Sequence, residues 1–270
     1  MIKVDQCEQV VSNPEAYTGE SISTHLPVPA IGRAFDILNY IAGKKAPCSL
    51  REIYTALKLP KTSTFSILTT LHLCGVIVKL QNGSYVPSVR LYTLGTAVRI
   101  ALEGNRFYLP LLEKLRDQSG RTVFLSLFDD GDLVVWEKVE GFESVYFKAY
   151  VGERKRLNTS SAGKAIAAYL APEDLNYALA KGMDSFTDNS ITDANLFKEQ
   201  LHEIRRCGYA LDDEESQLGI YCIGAPVFDN KGRVFGSISM SALKSEKLLE
   251  HIDEYIALVQ QAAREATMLT

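Results

Sequence analysis

Ser239 and Ser241 stand two residues apart in the run RVFGSISMSA, which alternates as a β-strand does. That spacing puts both hydroxyls on one face of the strand and Met240 on the other. The run IYCIGAPVFD precedes it, so Cys222 is a neighbour across the sheet. Asp212 ends a third run, GYALDD, just before Glu214 and Glu215. Ser161 and Ala162 open a helical stretch, where free N–H groups and the helix dipole favour an anion. Two hydroxyls, a helix start and one acidic acceptor for a ligand hydroxyl or hydrate make a site for a small carboxylate. The same residues also read as ordinary structure, with the serines on a solvent-facing strand and Asp212 capping a turn. Leu125, Leu127, Trp136 and Phe147 are candidate apolar walls of such a site, and each reads equally as core.

Ser161-Ala162-Gly163-Lys164 also fits S-x-x-K, the nucleophile pattern of an acyl-transfer or hydrolytic enzyme. No S-D-N or K-T-G accompanies it, and Lys164 falls on the opening turn of a helix, where it is expected to face solvent. Gly219 to Gly224 lacks the glycine spacing and following helix of a dinucleotide fingerprint, and there is no P-loop. Four scattered histidines suggest no metal site. Five cysteines form no C-x-x-C and leave one over, which argues against a disulfide framework. No cofactor and no catalysis are expected.

A second constellation lies in SLREIYTALKLPKTSTFSILTTLHLCG, Ser49 to Gly75. Ser49 with Glu52 is a capping box, and Ile53, Ala56 and Leu57 line one face of a short helix. Leu59-Pro60 breaks it and Pro60 opens another. Phe65, Leu68 and Leu71 recur every three residues as the expected buried stripe of that second helix. Lys61, Thr62, Ser63, Ser66, Thr69 and Thr70 fill its other side, a concentration of short donors suited to a polar partner. Val76, Val78 and Leu80 then alternate into Asn82-Gly83, a hairpin turn, with Tyr85 and Val86 returning. Two helices, a tight turn and a hairpin spell a winged helix-turn-helix, whose second helix enters the major groove of DNA.

Charge supports that reading. From Pro29 to Gly95, eight basic residues (Arg33, Lys44, Lys45, Arg51, Lys58, Lys61, Lys79 and Arg90) meet only Asp36 and Glu52. The segment is +6 in a chain of net charge −4, a basic module on an acidic body. Lys44, Lys45, Arg51, Lys61 and Lys79 are the expected phosphate contacts; Thr62, Ser63, Ser66 and Thr69 are the expected base-edge contacts.

These elements need a frame. At 270 residues the chain is long enough for two domains with real cores. No apolar run approaches the ~20 residues of a membrane helix and no secretory segment opens the chain, so a cytoplasmic location is expected. Residues 1 to 28 read as a disordered tail, broken by Pro14, Gly19 and Pro27. Ile31, Ala34, Phe35, Leu38 and Ile41 mark a supporting first helix, so that residues 29–90 form the DNA-binding module. Leu91, Leu94, Val98 and Leu102 stripe a linker helix over 91–105, facing its own domain or a second subunit. Residues 106–270 follow as a ligand-binding domain. There TVFLSLF, LVVWEKV, VYFKAYVG and the three runs above are strands, mixed irregularly with helices from Phe107, Ser161, Pro172, Asp193 and Ser245. That mixture is α+β with a mainly antiparallel sheet.

The chain resembles the isocitrate lyase regulator (IclR) family of bacterial transcription factors over roughly Ala30 to Ala266. GYALDDEESQLGIYCIGAPVFDNKGRVFGSISMSA carries most of the likeness, with VGERKRLNTSSAGKAIAAYLA and EKVEG beside it. The resemblance implies a winged helix-turn-helix, a linker helix and a C-terminal GAF-like ligand-binding domain. It implies dimers or tetramers on a palindromic operator, controlled by a small carboxylate or aromatic metabolite. Ser161, Ala162, Asp212, Cys222, Ser239 and Ser241 match the positions that line the family's effector pocket. Two positions depart from the pattern: Asn158 stands where the family usually has His, and Ser66 where its recognition helix usually carries Arg. An adaptor whose winged domain binds protein instead of DNA is the remaining alternative.

Overall fold

A computed structural model describes residues 26–44, 46–101, 105–142, 147 and 149–270. They form two compact units that divide between Glu103 and Gly104. Most of the expected tail, Lys45, and the linker positions Leu102 and Glu103 lie outside the described residues. No helix among those described is long and apolar enough to cross a membrane.

In the first unit, helices α1 (Pro29–Gly43), α2 (Leu50–Ala56) and α3 (Lys61–Leu73) precede a hairpin, β1 (Ile77–Lys79) with β2 (Tyr85–Pro87). Helix α4 (Val89–Ala101) follows, two residues ahead of the expected linker start. Ser49 caps α2 as a full capping box: its hydroxyl accepts from Glu52 N at 3.2 Å, and Glu52 Oε2 accepts from Ser49 N at 2.7 Å. Ile37, Ile41, Ile53, Leu68, Ile77 and Tyr85 make a small core.

Two stripes sit differently from the expectation. On α1, Ile31 and Phe35 are exposed while Ile37 and Ile41 are buried. At ~100° per residue Phe35 lies almost opposite Ile37, so the buried row is the four-spaced one. On α3, Phe65 is 48% exposed and Thr64 is fully buried beside Leu68. A three-residue spacing drifts round the helix, and Thr64 fits the interior because its hydroxyl donates to Pro60 O at 3.0 Å.

The second unit is built on one sheet, with strands in the order β5-β4-β3-β8-β7-β6 and every neighbour antiparallel. In chain order these are β3 (Thr122–Asp129), β4 (Asp132–Val139), β5 (Arg154–Lys155), β6 (Ala210–Asp213), β7 (Ile220–Phe228) and β8 (Val234–Leu243). One face carries α5 (Asn105–Ser119) and the terminal α10 (Ile252–Thr267), joined through Leu112, Leu125, Ile223, Ile238, Met240 and Val259. The other carries α6 (Ser161–Ala167), α7 (Pro172–Ala180) and α8 (Ala194–Cys207), packed through Phe124, Val135, Phe147, Ala165, Ile166 and Phe197. A short helix, α9 (Glu246–Glu250), leads into α10. The strand expected over VYFKAYVG is absent from its described residues. The chain turns at Gly152, where φ is +88°; Gly152 N donates to Val135 O and Val135 N to Glu153 O, and Arg154–Lys155 then forms the short strand beside β4.

Helix α6 lies unusually close to the sheet. A Cβ on Gly224 of β7 would stand 2.7 Å from the carbonyl carbon of Ser161, and one on Gly163 would stand 2.5 Å from Leu157 O. Both obstacles are backbone, which cannot swing aside. Gly224→Ala is therefore expected to cost ~1–3 kcal/mol, the usual penalty of overpacking. Gly43→Ala, with nothing within 4 Å, should be neutral or slightly stabilising. Urea titrations followed by the fluorescence of Trp136, the one tryptophan, measure the first, and circular dichroism the second.

Candidate functional site

On α3, Lys61, Thr62, Ser66, Thr69 and Thr70 are exposed and Ser63 is half-buried. The hydroxyls of Ser66, Thr69 and Thr70 donate back to the carbonyls of Thr62, Phe65 and Ser66, at 3.1, 2.8 and 3.0 Å. Each keeps its lone pairs free to accept and can rotate outward when a better acceptor arrives. Arg33 of α1 donates to Ser63 Oγ at 3.4 Å, a tie to the α3 surface that the helical pattern did not single out. The wing is a tight hairpin in which Leu80 N donates to Ser84 O, and Gly83 takes a φ of +83°. Lys79 lies over the Tyr85 ring and Lys44 over Tyr40, so both ammonium groups stay at the surface. Arg51 is exposed on α2. At the far end of α3, Arg90 donates to Cys74 O at 3.0 Å and satisfies a terminal carbonyl.

In the second unit the strand alternation turns Ser237, Ser239 and Ser241 toward α6, all three buried. They do not face solvent. Cys222 pairs with Ser241 in register, and their Sγ and Oγ atoms are 3.1 Å apart. Burial, with Asp212 close by, pushes the Cys222 thiol well above its ordinary value, so it stays protonated. Gly224 is the register partner of Ser239, which brings the Ser161–Ala162 end of α6 over that serine. Ser160 caps the helix by accepting from Gly163 N. Phe147 packs on this face with Phe124 and Cys222. Leu125 does not: the pleat turns it, with Trp136, into the core under α5 and α10, and it lines no part of this site. Leu127, two residues on, shares the face of Leu125.

Asp212 is fully buried and accepts from Glu215 N, Ser216 N and Ser216 Oγ, at 2.8, 3.2 and 2.6 Å. It caps its turn and lies beside Cys222 at once. Lys164 is not at the surface. Its side chain is wholly buried, and its ammonium is hydrogen-bonded to Glu215 Oε1. Desolvation raises the Glu215 carboxyl above its ordinary value, against the pull of the Lys164 charge. Lys164 is committed to Glu215 and has no hydrogen bond to Ser161, so the S-x-x-K pattern here is architecture. Asn158, at the position where His was expected, is buried and clamps a distant loop. It donates to Asp184 O and Ile191 O, both at 2.8 Å, and accepts from Asp184 N at 3.1 Å. Glu215 Oε2, Thr159 Oγ1 and Ser237 Oγ are buried with no hydrogen-bond partner.

The alternation that pointed to Ser239 and Ser241 also reaches Ser237. Glu215 carried no signal, because its partner is 51 residues away in the chain.

A winged helix-turn-helix and an α+β unit with a buried polar centre are the two parts of a helix-turn-helix transcriptional regulator. Residues 30–81 match the IclR helix-turn-helix domain, and residues 105–268 match the bacterial transcriptional regulator IclR C-terminal domain. The chain belongs to the IclR family. It is 28% identical over 245 residues to the transcriptional repressor IclR of Escherichia coli K12, covering 89% of each chain. The crystal structure of Thermotoga maritima IclR matches with a TM-score of 0.66 and 28% identity, over 88% of this chain and 97% of that one. An IclR homolog from Microbacterium hydrocarbonoxydans, crystallised with 4-hydroxybenzoate, shares the fold at a TM-score of 0.75 and 18% identity, over 89% of this chain and 98% of that one.

Removing one partner of a buried ion pair strands the other charge. Lys164→Ala is expected to destabilise the C-terminal unit by ~3–5 kcal/mol, whereas Lys164→Met with Glu215→Leu should recover most of that loss. The midpoints of urea unfolding, read by Trp136 fluorescence, compare the two variants.

Proposed function

We propose that the protein binds a palindromic operator as a dimer or tetramer and that a small carboxylate or aromatic acid controls that binding. The observation that carries this reading is the outer face of α3. Only Thr64 and Leu68 of the helix are buried, while Lys61, Thr62, Ser66 and Thr69 stand clear of the core. A helix that turns hydroxyls and a lysine outward beside a lysine-bearing wing suits the major groove with its flanking phosphates. In this reading Lys44, Lys45, Arg51, Lys61 and Lys79 meet phosphates, and Thr62, Ser63, Ser66 and Thr69 meet base edges. Exposed apolar residues on α4, Tyr92, Leu94 and Val98, support a second copy of the chain as a partner.

The effector sits against Ser161, Ala162, Asp212, Cys222, Ser239 and Ser241, with Phe147 as an apolar wall. Buried hydroxyls beside a helix start support a carboxylate there, and the 4-hydroxybenzoate bound by a relative supports an aromatic acid. Such a protein acts in the cytoplasm, where its operator is.

Fluorescence anisotropy on operator and random duplexes tests the DNA side. Lys61→Ala should weaken both about equally and lower the salt slope by about one. Thr62→Ala with Ser63→Ala and Ser66→Ala should instead erode discrimination between the two duplexes. Equal losses from both variants would falsify the assignment of this face to base reading. For the effector side, pyruvate, benzoate and 4-hydroxybenzoate are titrated against operator-bound protein. Ser239→Ala with Ser241→Ala should weaken any response by ~1.5–3 kcal/mol for each hydroxyl that meets a charge, while unliganded operator affinity holds.

A further inference from the structure

Resting on the placement of α3 in the major groove proposed above, we infer that Arg33 of α1 holds a DNA phosphate on the side of the recognition helix that α3 itself leaves uncharged. Helix α3 carries no arginine, and its one lysine is Lys61. At ~100° per residue, Thr62, Ser66 and Thr69 share the outward meridian of the helix. Lys61 lies roughly a quarter-turn to one side of that meridian and Ser63 roughly a quarter-turn to the other. A helix in the major groove, which is about 12 Å wide, has a phosphate strand along each side. Lys61 faces one of those strands. On the other side α3 offers only Ser63, Ile67 and Thr70, none of which carries a charge.

Arg33 stands at that side. Its Nη1 donates to Ser63 Oγ at 3.4 Å, so the neighbouring helix delivers the cation that α3 lacks. A neutral hydroxyl is a weak partner for a guanidinium, and it occupies one of five N–H donors. Among the described residues Arg33 has no other hydrogen bond and no ion pair. The two acids of the segment from Pro29 to Gly95 do not claim it. Glu52 accepts from Ser49 N in the capping box, and Asp36, three residues along α1, forms no ion pair with it. The residue is half-buried and its head is already tied to Ser63, so little side-chain freedom is lost when an anion docks. Its place beside the row of Thr62, Ser66 and Thr69, not in it, selects a phosphate oxygen over a base edge. The planar fork of donors suits that partner.

Fluorescence anisotropy of the full chain across a salt series tests the inference, on a random duplex and on a duplex that wild type selects from a randomised pool. Arg33→Ala should weaken both by the same factor, roughly fivefold per bound subunit at about 0.15 M salt, and lower the salt slope by about one per bound subunit. Arg33→Lys, which keeps the charge, should restore most of the affinity and the slope. A residue that merely ties α1 to α3 would change the melting temperature and leave the slope alone. Arg33→Gln, which keeps part of the stem and a donor for Ser63 Oγ, should therefore match wild type in melting temperature and Arg33→Ala in slope. An unchanged slope in Arg33→Gln overturns the inference. So does a loss of discrimination between the two duplexes with the slope intact, which would make Arg33 a base reader. Lys61→Ala keeps the underlying reading separate. If it lowers the slope and Arg33→Gln does not, this inference alone fails; if neither does, the placement of α3 in the groove is wrong as well.

Discussion

The buried pair of Lys164 and Glu215 is the contact on which the C-terminal unit turns. Either charge buried alone would cost several kcal/mol, so in this sequence the two are buried together. Lys164 projects from α6, and Glu215 from the loop after β6. Their meeting therefore sets the position of α6 over the sheet and the course of that loop. Asp212 takes the N–H groups of Glu215 and Ser216, while Thr187 and Ser190 donate to the carbonyls of Glu214 and Glu215, each at 2.7 Å. Asn158 holds Asp184 and Ile191 from the other side. The connection between α7 and α8 is thus sewn over the polar centre by hydrogen bonds. A buried ion pair adds little net stability compared with apolar residues of the same size. What this network supplies is a defined arrangement: one position of α6, close enough to the sheet that Gly224 and Gly163 admit no side chain.

That closeness governs what the site can hold. A helix start pressed on β7 meets a strand face of hydroxyls and a protonated thiol, and aromatic rings stand alongside. Apolar surface with a few convergent polar groups is the usual lining of a ligand pocket, which is the role proposed for this face. The DNA-binding unit follows the opposite economy. Its core is a handful of side chains, and by packing α3 through Thr64 and Leu68 it leaves the rest of that helix outward. A ligand influences such a unit only to the extent that it binds one conformation of the chain better than another.

How much of this was legible in advance depended on the range of the interaction. Ser49 and Glu52, Asn82 and Gly83, and Asp193 with Gly208 act within a few residues, and each forms the cap or turn its type implies. Strand alternation placed Ser239, Ser241 and Cys222 on one face because the pleat has a period of two whatever the sheet does. Helical stripes were less secure. Phe65 and Phe35 have the right type and an acceptable spacing but sit outside, since only the neighbouring helices decide which meridian is buried.

The sequence by itself determined the elements, their caps, the parity of each strand and the basic character of the first unit, because those are local or additive properties. Tertiary structure alone decided which face of the sheet is which. It carried Leu125 to the face away from the β8 serines and took Lys164, which heads a short helix and reads as exposed, into the interior. It also left Ser237 without a partner. The physical reason is the same in each case: burial and hydrogen bonding depend on what a distant part of the chain brings, and Glu215 lies 51 residues beyond the lysine that needs it.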